Sequence, residues 1–346
     1  MGNEQPVEAI PNQIQLALMG VGRWGTHLLR NFLAHPQVQV RAVVDPFTEQ
    51  RTATAKKFDL DDSVLLLENW EDVLQIKGLT AVAIATPATT HEAIVTAALK
   101  HQLHVLCEKP LTLTTQTSAN LCQLAQQQNR QLFIDHTYLF HPAVTTAKAN
   151  LDRLGIPRYG YAARTNLGPV RHDVDALWDL AIHDIAIFNY WLGASPTRVQ
   201  AQGLNWLKRQ GQAKSLADVV WCRLHYGSGF EAIIHLCWAN PHKQRQLSIV
   251  CDRGSLVFDE MQPDSPLTLR LGYPDSDTFQ PQGLDNVNLD VPNQEPLATM
   301  CNHFVQSVLT NQPSPISSGT VGTTLVTILE GLSQSLHQQG CWITLS

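Results

Sequence analysis

The hexapeptide Gly20-Val21-Gly22-Arg23-Trp24-Gly25 follows an apolar run, Ile14–Met19, and leads into His27–Leu33. Strand, glycine turn, helix is the context in which a G-x-G-x-x-G spacing predicts a dinucleotide site. Gly20 permits the tight turn, Gly22 lets backbone approach a pyrophosphate, and Gly25 lets helix and strand pack closely. The phosphate charge then meets the open N–H groups and positive dipole end of the helix. Arg23 and Trp24 complete the turn and join the cofactor-binding candidates. A glycine turn without phosphate is the alternative. Against it, the next apolar run, Val38–Val44, ends at Asp45, where a dinucleotide domain needs its ribose carboxylate. Asp45 predicts NAD, because a carboxylate accepts from the ribose 2′-OH and repels a 2′-phosphate. Arg23 and Arg51 could pair with that phosphate, so NADP stays open.

Short apolar runs at 16–19, 38–44, 64–67, 81–85, 103–107 and 132–134 alternate with helical patterns near 25–34, 48–57, 70–76, 91–100 and 114–128. That alternation predicts an α/β domain, a doubly wound parallel sheet of Rossmann type. From about residue 136 the pattern changes. A helix at 143–154, a strand-like run at 159–166 and a helix at 177–192 come first. Runs at 196–205, 217–226, 230–239, 245–251 and 254–259 follow with no helices between them. This predicts a second domain of α+β type around a large, mostly antiparallel sheet. Residues 261–296, rich in Pro, Asp, Gln and Gly, read as a surface excursion, and helices at 298–310 and 320–338 precede a last short strand. The expected divisions are a loose leader at 1–13, a dinucleotide-binding domain at 14–135 and a substrate and oligomerisation domain at 136–346, a length that suits two cores.

The 24 Lys and Arg are outnumbered by 30 Asp and Glu, and they are scattered, so no nucleic-acid partner and no anionic membrane is expected. No apolar run approaches the roughly 20 residues that span a bilayer. The first residues lack the basic and apolar parts of a secretion signal. The seven cysteines form no C-x-x-C pair and read as reduced and mostly buried, which points to the cytoplasm. No third ligand stands at metal-binding spacing from Asp179 and His183, so no metal is expected.

The carboxyl ends of central strands hold the ligand in an open α/β sheet. Thr86 and Pro87 close the fourth strand and His91 opens the next helix, so all three are candidates for lining the cofactor. Glu108-Lys109-Pro110 ends the fifth strand; the alternative there is a solvated ion pair. His136 opens the crossover to the second domain. Asp179 and His183 are four apart and share one face of an apolar helix. Two ionisable groups on such a face need a partner or a purpose. A carboxylate beside an imidazole raises its basicity and suits proton removal from an alcohol, although the pair could also be helix glue. Arg164, Asn166, Arg171 and His172 precede that helix and could clamp a carboxylate or phosphate of the substrate.

In order and spacing, Gly20–Gly25, Asp45, Thr86-Pro87 with His91, Glu108-Lys109-Pro110 and Asp179-x-x-x-His183 resemble the Gfo/Idh/MocA oxidoreductases, the glucose–fructose oxidoreductase and inositol dehydrogenase family. The resemblance runs from about residue 14 to the end. The wording around His136–Pro142 and Trp178-Asp179 is most similar to members acting on sugars or nucleotide sugars. It implies a Rossmann domain followed by a domain whose open sheet builds homodimers or homotetramers. It implies that Lys109 sits by the nicotinamide and the reacting hydroxyl, that His183 moves the hydroxyl proton with Asp179 orienting it, and that Glu108 touches the nicotinamide ribose. The expected activity is NAD(P)-dependent hydride transfer at a secondary alcohol or ketone of a sugar, nucleotide sugar or cyclitol. Its rivals are a biliverdin-reductase-like enzyme, an aldose–aldose oxidoreductase that retains its cofactor, and a non-catalytic NAD(H) sensor or scaffold. The sensor would have no use for Lys109, Asp179 and His183 together.

Overall fold

A computed structural model describes residues 13–171, 174–207 and 216–345 of the chain. Most of the expected leader and His172 lie outside the described residues. The chain divides into two compact units, one running to Asp135 and taking up Leu297–Thr323, the other made of His136–Pro296 and the rest.

In the first unit, β1 (Ile14–Met19), α1 (Arg23–Leu33), β2 (Val38–Val44), α2 (Thr48–Phe58), β3 (Leu65–Leu67), β4 (Ala81–Ile84), α3 (Ala88–Lys100), β5 (His104–Glu108), α4 (Thr115–Gln127) and β6 (Leu132–Asp135) alternate as the sequence predicts. Among the described residues the sheet has six strands in the order β3-β2-β1-β4-β5-β6, every pairing parallel. The buried stretches Leu16–Met19 of β1, Ala81–Ile84 of β4 and Val105–Cys107 of β5 are continuous apolar runs and not alternating ones, as strands covered on both faces are. The strand order reverses between β1 and β4, which opens the crevice at their carboxyl ends.

The return of residues 297–323 to this unit is not visible in the order of the chain. Phe304, on the helix Pro296–Thr310, sets its ring edge against Phe32 and Phe133, with centroids 6.2 and 5.8 Å away. Ser317 closes the join: its carbonyl accepts from the Ile134 N–H at 2.8 Å, and its hydroxyl donates to the Ile134 carbonyl at 2.6 Å.

The second unit contains α5 (Pro142–Asn150), β7 (Pro157–Leu167), α6 (Ile182–Leu192), β8 (Pro196–Leu204), β9 (Val219–Tyr226), β10 (Glu231–Cys237), β11 (Ala239–Cys251), β12 (Gly254–Asp259), β13 (Leu267–Pro274), β14 (Pro281–Asn288) and β15 (Ile343–Thr344). Among the described residues they make a nine-stranded sheet, order β14-β13-β12-β11-β7-β10-β9-β8-β15, antiparallel except between β7 and β10. Ala162, Leu224, Ala232 and Ile234 are buried on one face. Gly160 is required there, since a Cβ on it would meet the Phe188 ring of α6 at 2.6 Å. The other face exposes Tyr159, Tyr161, Trp221 and Ile233.

The surface excursion expected at 261–296 is corrected: β13 and β14 extend the sheet. Leu267 and Leu269 are fully buried, whereas β14 is exposed along nearly its whole length and carries no period-2 signal. Among the described residues no helix is long and apolar enough to cross a membrane.

Candidate functional site

In the first unit the glycine turn has the shape a pyrophosphate requires. Gly20 has φ +88°, and a Cβ on Gly25 would fall 1.9 Å from the Gly20 carbonyl oxygen, so both are glycine for internal reasons. Gly22 differs: a Cβ there would meet nothing within 4 Å, so the space it leaves lies outside the protein's own packing, at the start of α1. The first turn of α1 carries no acidic side chain to oppose an anion.

Asp45 holds this turn. Its Oδ2 accepts from the Val21 N–H and its Oδ1 from the Phe47 N–H, each at 3.0 Å. A carboxylate has about four acceptor sites, so these two bonds do not exhaust its capacity. Arg51, which the sequence left open as a 2′-phosphate partner, donates to the Asp45 carbonyl at 2.5 Å and to Thr48 at 2.9 Å. Trp24 is 40% exposed but ties its indole N–H to Asp135 Oδ2 at 2.7 Å.

Asp135 went unnoticed in the sequence. It pairs in register with Glu108 across the ends of β5 and β6, and that register is the signal that could have found it. Glu108 Oε2 accepts from the Lys109 N–H at 3.2 Å, while Oε1 is shut off from solvent with no hydrogen-bond partner. Burial first, and the adjacent Asp135 second, raises the Glu108 carboxyl well above the usual range. Both effects favour the protonated form of the Glu108 carboxyl. Lys109 follows it, half-buried, at the mouth of β5.

His91 does not line this crevice. It is 1% exposed, with Nδ1 facing the Pro110 and Leu111 carbonyls at 3.0 and 3.2 Å and Nε2 facing the Thr86 carbonyl at 2.9 Å. Burial lowers its pKa and the three carbonyls oppose that. Its work is to brace the Thr86-Pro87 turn against the Glu108-Lys109-Pro110 turn.

In the second unit, residues Leu177–Ala181 are π-helical and α6 begins at Ile182. The expected helix is thus present, but Asp179 lies in its wide turn and His183 in the narrower one beyond. Wide turns of this kind recur at functional sites. Asp179 Oδ1 accepts from Arg171 at 3.3 Å and Oδ2 from the Trp238 indole at 3.2 Å. His183 is half-buried, with its ring 4.8 Å from that of Tyr138. His136 is buried at 2% exposure.

Arg164 is corrected from substrate clamp to internal brace. It is 2% exposed, and its Nε and Nη2 grip Asp184 Oδ1 at 3.0 and 2.6 Å. Burial works against its charge, but Asp184, Tyr138 and Glu260 together outweigh burial, so its pKa stands above the ordinary value. Asn166 is likewise engaged, donating to the Gly168 carbonyl at 2.8 Å and accepting from Arg245 at 3.0 Å.

The glycine turn, with the space over Gly22, and Asp45 at the end of β2 fit NAD. Residues 14–136 match the Gfo/Idh/MocA oxidoreductase family with its NAD-binding Rossmann fold, and residues 144–257 match that family's C-terminal domain. UDP-N-acetylglucosamine 3-dehydrogenase of Acidithiobacillus ferrooxidans is 37% identical over 125 residues, 36% of this chain and 39% of that protein. The NAD-dependent scyllo-inositol 2-dehydrogenase of Bacillus subtilis is 28% identical over 204 residues, 56% of this chain and 58% of that one. These alignments therefore span less than two thirds of either relative. GenD2 from gentamicin A biosynthesis, solved with NAD, superposes with a TM-score of 0.80 over the full length of both chains at 20% identity, a likeness of fold. With both of its domains matched in order and the NAD-binding fold in place, the chain belongs to the Gfo/Idh/MocA oxidoreductase family.

Proposed function

We propose that this protein is an NAD-dependent dehydrogenase acting on a secondary alcohol of a sugar, nucleotide sugar or cyclitol. One observation carries the reading: a chain of this family keeps the lysine after Glu108 and the histidine of α6 together. NAD, when bound, supplies the hydride acceptor; the protein supplies position and charge. In this reading the α1 turn receives the pyrophosphate, Asp45 the adenosine ribose and Glu108 the nicotinamide ribose. His183 takes the hydroxyl proton and Lys109 steadies the alkoxide that develops, with Asp179 and Arg171 in support. A lysine that loses its proton in a partly buried site could exchange roles with the histidine.

The test is a screen of UDP-N-acetylglucosamine, scyllo-inositol and myo-inositol against NAD and NADP, read at the reduced nicotinamide band. Turnover of at least one is expected, with kcat/KM higher for NAD by about tenfold or more, since like charges close together cost roughly 1–4 kcal/mol at a protein surface. No turnover with any of them, or a preference for NADP, overturns the reading. The reading also assigns the exposed Tyr159, Tyr161, Trp221 and Ile233 face to contact between copies of the chain. Light scattering is expected to give a dimer or tetramer, and a monomer at micromolar concentration would remove that part.

A further inference from the structure

Four side chains of the second unit close a ring. His183 and Asp184 are consecutive at the start of α6. Arg164 of β7 grips Asp184 with two nitrogens, at 2.6 and 3.0 Å, and is all but excluded from solvent. The Tyr138 ring lies over that guanidinium, 4.6 Å from its central carbon to the ring centroid. Its other neighbour is the His183 imidazole, with centroids 4.8 Å apart and planes tilted by 53°. The Tyr138 hydroxyl donates to Glu260 Oε2 at 2.9 Å, so the ring is pinned at its tip as well. Both ring distances lie within the attractive range for cation–π and tilted aromatic pairs.

We propose that Tyr138 is a positioning residue for His183: in contact with both the Arg164 guanidinium and the imidazole, and hydrogen-bonded to Glu260, it fixes the direction in which His183 presents its ring. The Arg164–Asp184 pair sets the rotation of α6 about its axis, and Tyr138 removes the freedom left to the histidine side chain. The claim rests on the dehydrogenase reading, in which His183 moves a proton and a misplacement of about 1 Å costs up to about 100-fold. Its sequence signal is the Asp that directly follows His183 together with Tyr138, three residues beyond β6.

The test has two arms. In the protein without substrate, the His183 imidazole resonances, assigned by their loss in His183→Ala, should carry a ring-current shift. Tyr138→Leu should collapse that shift and Tyr138→Phe should keep it. With UDP-N-acetylglucosamine or scyllo-inositol and NAD, Tyr138→Leu should lower kcat by about 10- to 100-fold. The sugar KM should move by less than about threefold, and Tyr138→Phe should recover most of the loss. A Tyr138→Leu protein with unshifted His183 resonances or undiminished kcat overturns the proposal, as does a loss seen in KM alone. Failure of the functional reading shows elsewhere, in a wild-type protein that turns over neither probe or a His183→Ala protein that keeps turnover.

Discussion

Lys109→Ala lowers kcat by about 10²- to 10⁴-fold and leaves NADH affinity within about threefold of wild type. The expectation follows from where the residue stands and what precedes it. Lys109 directly follows β5, and burial and Asp135 raise the carboxyl of Glu108 before it well above the usual range. In the proposed reading the Lys109 ammonium steadies the developing alkoxide by its charge. The α1 turn and Asp45 carry most of the dinucleotide affinity in the same reading, which is why binding should survive. Lys109→Arg separates charge from proton transfer, because a guanidinium stays charged at any working pH. If Lys109 acts by charge, the arginine variant recovers about tenfold of what alanine loses. His183→Ala should cost a similar factor, and the double variant little more than either alone, as groups acting on one step do. Near-native turnover in both single variants would remove the assignment. Stopped-flow absorbance with the probes above, alongside NADH fluorescence titration, makes both measurements.

Most of the first unit was legible because parallel strands buried on both faces write themselves as unbroken apolar runs. Leu16–Met19 and Ala81–Ile84 could hardly be anything else. Asp45 was legible because it stops such a run. What stayed hidden was set by long-range partners. Arg164 looks like a free cation until Asp184, 20 residues on, takes it in the interior. His91 looks like a crevice residue until three backbone carbonyls turn its ring inward. The pairing of Phe304 with Phe32 spans most of the chain and leaves no local pattern. β14 failed for a different reason: an exposed edge strand has no buried face, so its sequence resembles a loop. No residue in the π turn that holds Asp179 announces a wide turn.

Arg164→Met, the second large effect, should destabilise the second unit by about 3–5 kcal/mol. Removing the guanidinium leaves Asp184, fully buried, without its ion-pair partner, and only the more remote charge of Arg245 still acts on it. A carboxyl in that position must either stay ionised at high cost or take up a proton. For a unit of this size the loss corresponds to roughly 6–20 °C in its unfolding midpoint, measurable by calorimetry. The pair need not be stabilising for this to hold, since two buried ions first lose their hydration. Arg164→Met with Asp184→Leu should accordingly return most of the midpoint, because an apolar pair of similar volume is often neutral or better. Stability and positioning then come apart. The double variant is folded, but Tyr138 has lost the guanidinium beneath it and α6 the grip that sets its rotation. Its kcat should stay at least about tenfold down while NADH still binds. An Arg164→Met midpoint equal to wild type would mean that Asp184 is not desolvated as described. A double variant with full turnover would mean that the pair holds the fold and leaves His183 alone.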